Sequence, residues 1–534
     1  MARSITSEAA FTLPDSAQVP FTVFDGQTGE YFQVARQDGV LCQSQYAVDR
    51  SGRESFRQTF KIAYAIGSGD SGIGFLIERG GYLFEAPLSY YVQSKLWSFS
   101  PGYELHNYAF RRPIVADCLS CHSGRPQPVY AMLGLYRDPP FLQLGVACEN
   151  CHGPGELHVK ERRAALPISN KFDTSIVNPA RLSGWMSDNI CMKCHQAGDV
   201  RVEQPDKHAE DFRPGAPLQN VIEIFKAAPT KQSAPGNPVL LEHYYSMVLS
   251  KCYRGSSGNL RCTTCHDPHV QQNRLEGAAF YRTRCLSCHT TRPCTLDTAE
   301  RAKTNPPDDC AACHMPKRDV ATIAHAALTE HRILMRPDEP LPDDVFNSGD
   351  PRSGLIRVTA RPGDENGAVS DIVLLQAYAK LLHDGHEELR PRMDDVLVRL
   401  SHSNPDDSRV LSALARREAK KGTPEAFELA TKYLAKAVRS GRSDPDDLLL
   451  LANLKSQASS HADAIELLKT GVRLNPYAPE FAEALSAEYV KLGDYANSLD
   501  VIRQGLVLFP DDKVLRKQMN QVQSATVDGL GTIQ

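Results

Sequence analysis

The stretch GVACENCHGPGELH, residues 145 to 158, sets two cysteines, two histidines and a Gly-Pro-Gly turn side by side. Its cysteines are three positions apart, and a histidine follows the second at once. The same C-x-x-C-H pattern occurs six times: Cys118/Cys121/His122, Cys148/Cys151/His152, Cys191/Cys194/His195, Cys262/Cys265/His266, Cys285/Cys288/His289 and Cys310/Cys313/His314. These pairs use twelve of the fifteen cysteines, and no C-x-x-C in the chain lacks its histidine.

That regularity has a chemical reason. Two thiols at this spacing can add to the two vinyl groups on one edge of a haem, and the next residue then lies under the ring, where an imidazole reaches the iron. Zinc ribbons build tetrahedral sites from paired C-x-x-C motifs but need no histidine after each pair. A thioredoxin-like dithiol occurs once, beside a βαβ pattern, not six times. The pattern predicts six covalently attached haem c groups, with iron as the metal and the six motif histidines as its proximal ligands.

Composition frames this reading. At 534 residues, with 23% charged and 41% hydrophobic residues, the chain is long enough for several domains and ordinary in make-up. Its net charge of -4 gives no argument for nucleic acid or an acidic membrane surface. No apolar run is long enough to span a bilayer. The opening MARSITSEAAFTLPDSAQVPF lacks a charged start followed by an apolar core and does not read as an export signal. Attachment of haem to C-x-x-C-H belongs outside the bacterial cytoplasm, and a periplasmic or extracellular location is expected.

The chain divides into three regions and a linker, a multidomain architecture. Residues 20–97 alternate apolar and polar positions and break at glycine turns, as an antiparallel β-domain does. Its GSGDSGIG, residues 67–74, lacks the Gly-Lys-Ser/Thr ending of a phosphate loop and reads as a tight strand connection. Residues 98–334 carry all six motifs, with short helices and many loops. So short a segment for six large cofactors is expected to lack a conventional side-chain core and to depend on porphyrin faces for its apolar interior. Residues 335–367 begin with the proline-, aspartate- and glycine-rich MRPDEPLPDDVFNSGDPRSG and read as a linker.

Residues 368–525 are helical and repetitive. Ending repeats at Pro476 and Pro510 brings Leu451, Ala452, Ala464, Leu468 and Gly471 into register with Leu485, Ser486, Ser498, Ile502 and Gly505. The small residues let paired helices approach, and the prolines end each second helix. YVKLGDYANSLDVIRQGLVLFP resembles the tetratricopeptide repeat, which predicts an all-α solenoid of three to four repeats with a capping helix after Pro510.

Closing both faces of six irons with imidazole needs six further histidines. The haem region holds seven outside the motifs: His106, His158, His208, His243, His269, His325 and His331. His269 follows His266 by three residues, which span at most roughly 10 Å. That is too little to pass round a porphyrin edge, so His269 should serve a neighbouring haem. His158, beyond the Gly-Pro-Gly turn, is expected to do likewise.

GVACENCHGPGELH, HYYSMVLSKCYRGSSGNLRCTTCHDPH and CAACHMPKRDVATIAHAALTEHRI resemble the multihaem cytochromes c related to the tetrahaem electron carrier of ammonia oxidation, in a branch with C-terminal tetratricopeptide repeats. The resemblance covers about residues 97–335. It implies distal iron ligands at His243, His158, His269, His325 and His331, leaving His106 as the sixth by elimination. His208, in the polar PDKHAEDFRPG, matches no ligand position and reads as a surface residue. Met315 follows its own haem histidine too closely to reach that iron. His383, His386, His402 and His461 fall in the repeat region and read as solvated. Cys42, Cys252 and Cys294 stand outside the motifs, and Cys252 and Cys294 are read as a disulfide or as free thiols.

Six irons each closed by two histidines have no position for a substrate. The expectation is an electron carrier with no catalytic residue, passing electrons between redox partner proteins, with the repeats docking a partner. The alternatives are a reductase or oxidase of small nitrogen compounds such as nitrite or hydroxylamine with one open haem, or a homo-oligomer extended as a conducting filament.

Overall fold

The computed structural model describes residues 4–67, 69, 71–103, 106–168, 172–228, 242–270, 274–290, 294–319, 327–336, 339–343, 345, 349–350, 352–361, 363–364, 367–440 and 444–530. The chain packs into two compact units, Met1–Ser4 with Asp117–Arg125 and Gln143–Met393, and Ile5–Ala116 with Pro126–Leu142 and Asp394–Gln534. All six C-x-x-C-H motifs fall in the first unit. The β-region and the helical repeats fall together in the second.

The β-region holds two antiparallel sheets. One runs Phe21–Asp25, Glu30–Gln37, Val40–Val48 and Glu54–Lys61 in order. The other runs Ile5–Ser7, Tyr64–Ile66, Gly72–Arg79, Leu88–Tyr91 and Leu96–Phe99, with Tyr82–Glu85 also paired to Gly72–Arg79. Alternation along Glu30–Gln37 turns Phe32 and Val34 inward, where they join Phe75, Ile77, Tyr90 and Trp97 in one core. Asp38 and Gly39 close the hairpin between the second and third strands with φ of 50° and 83°. Two successive positive φ angles are what a two-residue turn matching the strand twist requires, and Asp-Gly supplies them at low cost. The glycine-rich stretch after Ile66 connects two strands paired antiparallel, Tyr64 opposite Leu76.

The motif-bearing unit has a sheet of its own, Val200–Glu203, Ile222–Ala227 and Leu355–Arg357, all antiparallel. Ile222, Ile224, Ile356 and Val358 pack there with Ile190, Met192, Tyr244 and Met247. This corrects the expectation that the segment could not build a side-chain core: a compact one surrounds this sheet. It includes part of the stretch read as a linker, because Leu355–Arg357 is a short apolar strand. The strand ends in Arg357, whose guanidinium donates to buried Glu223 at 2.6 Å. Helix Asp371–His383 also belongs to this unit, and its Tyr378 hydroxyl donates to the Ser353 carbonyl at 2.8 Å.

In the second unit the repeats form three helix pairs: Ser408–Ala419 with Pro424–Arg439, Pro445–Gln457 with His461–Leu474, and Pro479–Lys491 with Tyr495–Leu508. Helix Lys513–Leu530 follows as the cap. Proline stands at the first helical position of three of these helices, where its missing N–H costs nothing. The residues aligned from the repeat register are buried, Ala464, Ser486, Ser498 and Ile502 completely. A Cβ on Gly471 would collide with the Phe481 ring of the next helix, and one on Gly505 would stand 2.7 Å from Leu515. The repeats rest on the β-region through Tyr477, whose ring packs edge-on against Tyr82 and Phe84 at 5.1 and 5.0 Å, with the Arg79 guanidinium 4.6 Å from its centre. Among the described residues no helix is long and apolar enough to cross a membrane.

Candidate functional site

Each motif lies on or at the end of a short helix. Ala116–His122, Cys148–His152, Cys262–Cys265 and Cys310–His314 are little more than one or two turns. Gly184–His195 ends in its motif, and Arg274–Leu286 ends just as its motif begins at Cys285. Residues three apart on a helix share a face, so one turn turns both thiols of a pair the same way and leaves the histidine at the helix end. Several of these turns are started by a side-chain cap: Ser183 accepts from the Met186 N–H, and Asp309 from Ala311 and Ala312. No motif cysteine is in a disulfide and each is at least partly accessible, as a group attached through them requires; Cys252 and Cys294 are not disulfide-bonded either.

The motifs stand close enough for thiols of different pairs to touch. Cys121 contacts Cys194, Cys191 contacts Cys262, and Cys285 contacts Cys310. The Cys121 sulfur also lies 3.2 Å from the Lys193 carbonyl oxygen. The hydrogen bond from Cys194 brings the Cys121 thiol down to about 5, against the cost of burial, and pushes Cys194 up.

Six of the described histidines form two groups. His152 and His269 stand with ring centres 6.1 Å apart and planes inclined by 23°. His195, His243, His266 and His331 cluster, with centres 5.4 Å apart for His195 and His243, 4.7 Å for His243 and His331, and 6.3 Å for His266 and His331. Burial and the neighbouring His331 and His195 hold His243 down at about 3, and burial lowers His195, His266 and His331 too. These imidazoles are neutral at ordinary pH, the form in which imidazole binds a metal.

The ring nitrogens are oriented by partners. Nδ1 of His152 faces the Val177 carbonyl at 2.9 Å, that of His314 the Leu334 carbonyl at 2.6 Å, and that of His331 the Thr329 carbonyl at 2.8 Å. Nδ1 of His266 meets the Tyr281 hydroxyl at 3.2 Å, and Nδ1 of His158 meets Asp173 at 3.0 Å. Each partner occupies Nδ1 and leaves Nε2 for a metal, the arrangement of metal-bound histidine. Sequence reasoning missed these partners. Backbone carbonyls leave no mark in a sequence, and Tyr281 and Asp173 each lie fifteen residues from their histidine with no motif between.

An open cavity of about 1230 Å³ lies beside the second motif, lined among others by Cys148, His152, His158, Val159 and Val177. His158 thus shares a cavity wall with the motif that precedes it. His208 pairs through Nδ1 with Glu203 at 3.1 Å. His106 is exposed, packs edge-on to Tyr108 at 4.4 Å, and belongs to the unit that holds no motif. His289 is exposed at the end of its motif. His325 lies outside the described residues. Among the described residues no three histidine, cysteine or acidic side chains converge as a metal site by themselves.

No family model matches the chain. It is similar to the "Multiheme cytochrome MtrA" of Shewanella baltica (strain OS185), 23% identical over 218 residues, which are 40% of this chain and 57% of the relative. It is also similar to the "Dissimilatory sulfite reductase MccA" of Wolinella succinogenes, 25% identical over 231 residues, 37% of this chain and 27% of that protein. The match therefore spans little more than half of one curated relative and about a quarter of the other. Among solved structures, MamA overlaps 26% of the chain with 13% identity and a TM-score of 0.24, and the tetratricopeptide protein YrrB overlaps 31% with 14% identity and a TM-score of 0.26.

Proposed function

We propose that this chain is an extracytoplasmic electron carrier that holds six c-type haems through its C-x-x-C-H motifs and docks partner proteins through its helical repeats. The observation that carries this reading is the combination of paired thiols on short helices with imidazoles whose Nδ1 atoms are occupied and whose Nε2 atoms are left for a metal. That is the set of groups a covalently attached, histidine-ligated haem needs from a protein. Bound haem would supply reversible one-electron chemistry. The chain's own part is to attach the groups through Cys118, Cys121, Cys148, Cys151, Cys191, Cys194, Cys262, Cys265, Cys285, Cys288, Cys310 and Cys313. It also closes the irons with imidazole, which leaves a substrate no position.

The distal ligands in this reading are His106, His158, His243, His269, His325 and His331. Low similarity to a multihaem cytochrome supports the carrier reading, and the repeat fold supports protein docking. A reductase reading has one observation in its favour, that one relative is named for sulfite reduction. The two separate by spectroscopy. The carrier should be wholly low-spin in the ferric state, and carbon monoxide should leave its reduced spectrum unchanged. His243→Ala should create one equivalent of high-spin haem that binds carbon monoxide, and His208→Ala none. High-spin haem in the unaltered protein, with turnover of sulfite, nitrite or hydroxylamine, would favour the enzyme.

A further inference from the structure

We propose that the fourth motif is the junction of the haem chain: His266 and His331 close its own iron, and His269 closes the iron of the second motif opposite His152. The inference rests on the six-haem reading and adds to it which histidine serves which iron. Two imidazoles on opposite faces of one iron are held apart by two metal–nitrogen bonds of about 2.0 Å each, and each ring centre lies about 1.1 Å behind its nitrogen, so their centres should stand roughly 6.2 Å apart. His152 with His269, at 6.1 Å, and His266 with His331, at 6.3 Å, meet that requirement. His243 and His331, at 4.7 Å, are too near each other to share an iron and pack instead as neighbours.

The outward nitrogens agree. Nδ1 of His152, His266 and His331 each have an oxygen partner, and Nδ1 of His269 lies 3.3 Å from Asp267, so in all four rings Nε2 is left for the metal. His266 and His269 leave the same short loop, CTTCHDPH, so the second and fourth haems are tied to one piece of backbone. The third motif adjoins the fourth as well, since Cys191 touches Cys262 and His243 lies against both His195 and His331.

Paired substitutions in the full chain test the assignment. With all six haems present by denatured mass, His269→Ala and His331→Ala should each give one equivalent of haem that binds carbon monoxide. In a Cys148→Ser/Cys151→Ser background, with five haems by mass, His269→Ala should add no carbon monoxide-binding haem, because its iron is gone, whereas His331→Ala should still add one. In a Cys262→Ser/Cys265→Ser background the pattern should reverse. A carbon monoxide-binding haem created by His269→Ala in the Cys148→Ser/Cys151→Ser background would overturn the pairing while leaving the six-haem reading of the parent intact. Fewer than six haems in the parent would instead overturn the reading beneath it. Should a five-haem background not accumulate, an electron cryomicroscopy map of the loaded parent reads the same pairs, with His152 and His269 on one iron expected and any other partner for His152 contradicting the proposal.

Discussion

The Tyr281 hydroxyl lies 3.2 Å from Nδ1 of His266, so a side chain within helix Arg274–Leu286, which leads into the fifth motif, orients the histidine of the fourth. Carbonyl partners do this for His152, His314 and His331, but Tyr281 can be removed by a single substitution. Tyr281→Phe should keep six haems by mass, weaken the grip on one iron by roughly tenfold, and shift the midpoint potential of that haem alone. Redox titration with optical detection reads it. An unchanged titration would mean that the hydroxyl does not tune this ligand.

Gly471 offers a test of the repeat packing. A methyl group there meets the Phe481 ring, which is fully buried and has nowhere to retreat. Gly471→Ala should destabilise the helical unit by about 1–3 kcal/mol through overpacking, in spite of alanine's better helix propensity. Thermal unfolding followed at 222 nm checks it, and the haem absorbance should be unchanged before the transition.

A carboxylate cluster gives the second unit a pH dependence. Burial, reinforced by neighbouring Asp512 and Glu480, raises Glu483 to about 7, while Arg111 opposes the shift; Arg111 itself lies 3.5 Å from Asp512 and 3.7 Å from Asp511. Burial also raises Glu30, which accepts a hydrogen bond from Gln45 and faces Asp511, Lys513 and Arg111. A carboxyl whose folded pKa exceeds its unfolded value binds an extra proton when folded. The stability this contributes is present at low pH and is lost as pH rises from the unfolded value through about 7. The unit should therefore unfold more easily at pH 8 than at pH 5.5, by about 1–2 kcal/mol after screening. Glu483→Gln should flatten that dependence, and a steeper profile in the variant would contradict the assignment.

Much of this was legible in the sequence, for physical reasons that differ by region. The six motifs are local, since attachment needs only residues i, i+3 and i+4, and the repeat register was readable because Gly471 and Gly505 answer the same steric demand one repeat apart. The β-region was legible through alternation and glycine turns, of which the structure shows Asp38-Gly39 closing a hairpin. The strand Leu355–Arg357 was hidden by the prolines and aspartates before it, because its pairing with Ile222–Ala227 is long-range. The closeness of His152 to His269 and of His266 to His331 was equally hidden. Spacing predicts that His269 serves a neighbouring haem, but which ring it would meet is decided by tertiary structure.

The central claim is the number of covalently attached haems, and the intact mass of the mature protein under denaturing conditions tests it most directly. Every thiol pair and every adjoining histidine is present, so the mass should equal that of the polypeptide plus six haems, with no population carrying fewer. A mature protein that carries five or fewer, or none that survives denaturation, would contradict the account.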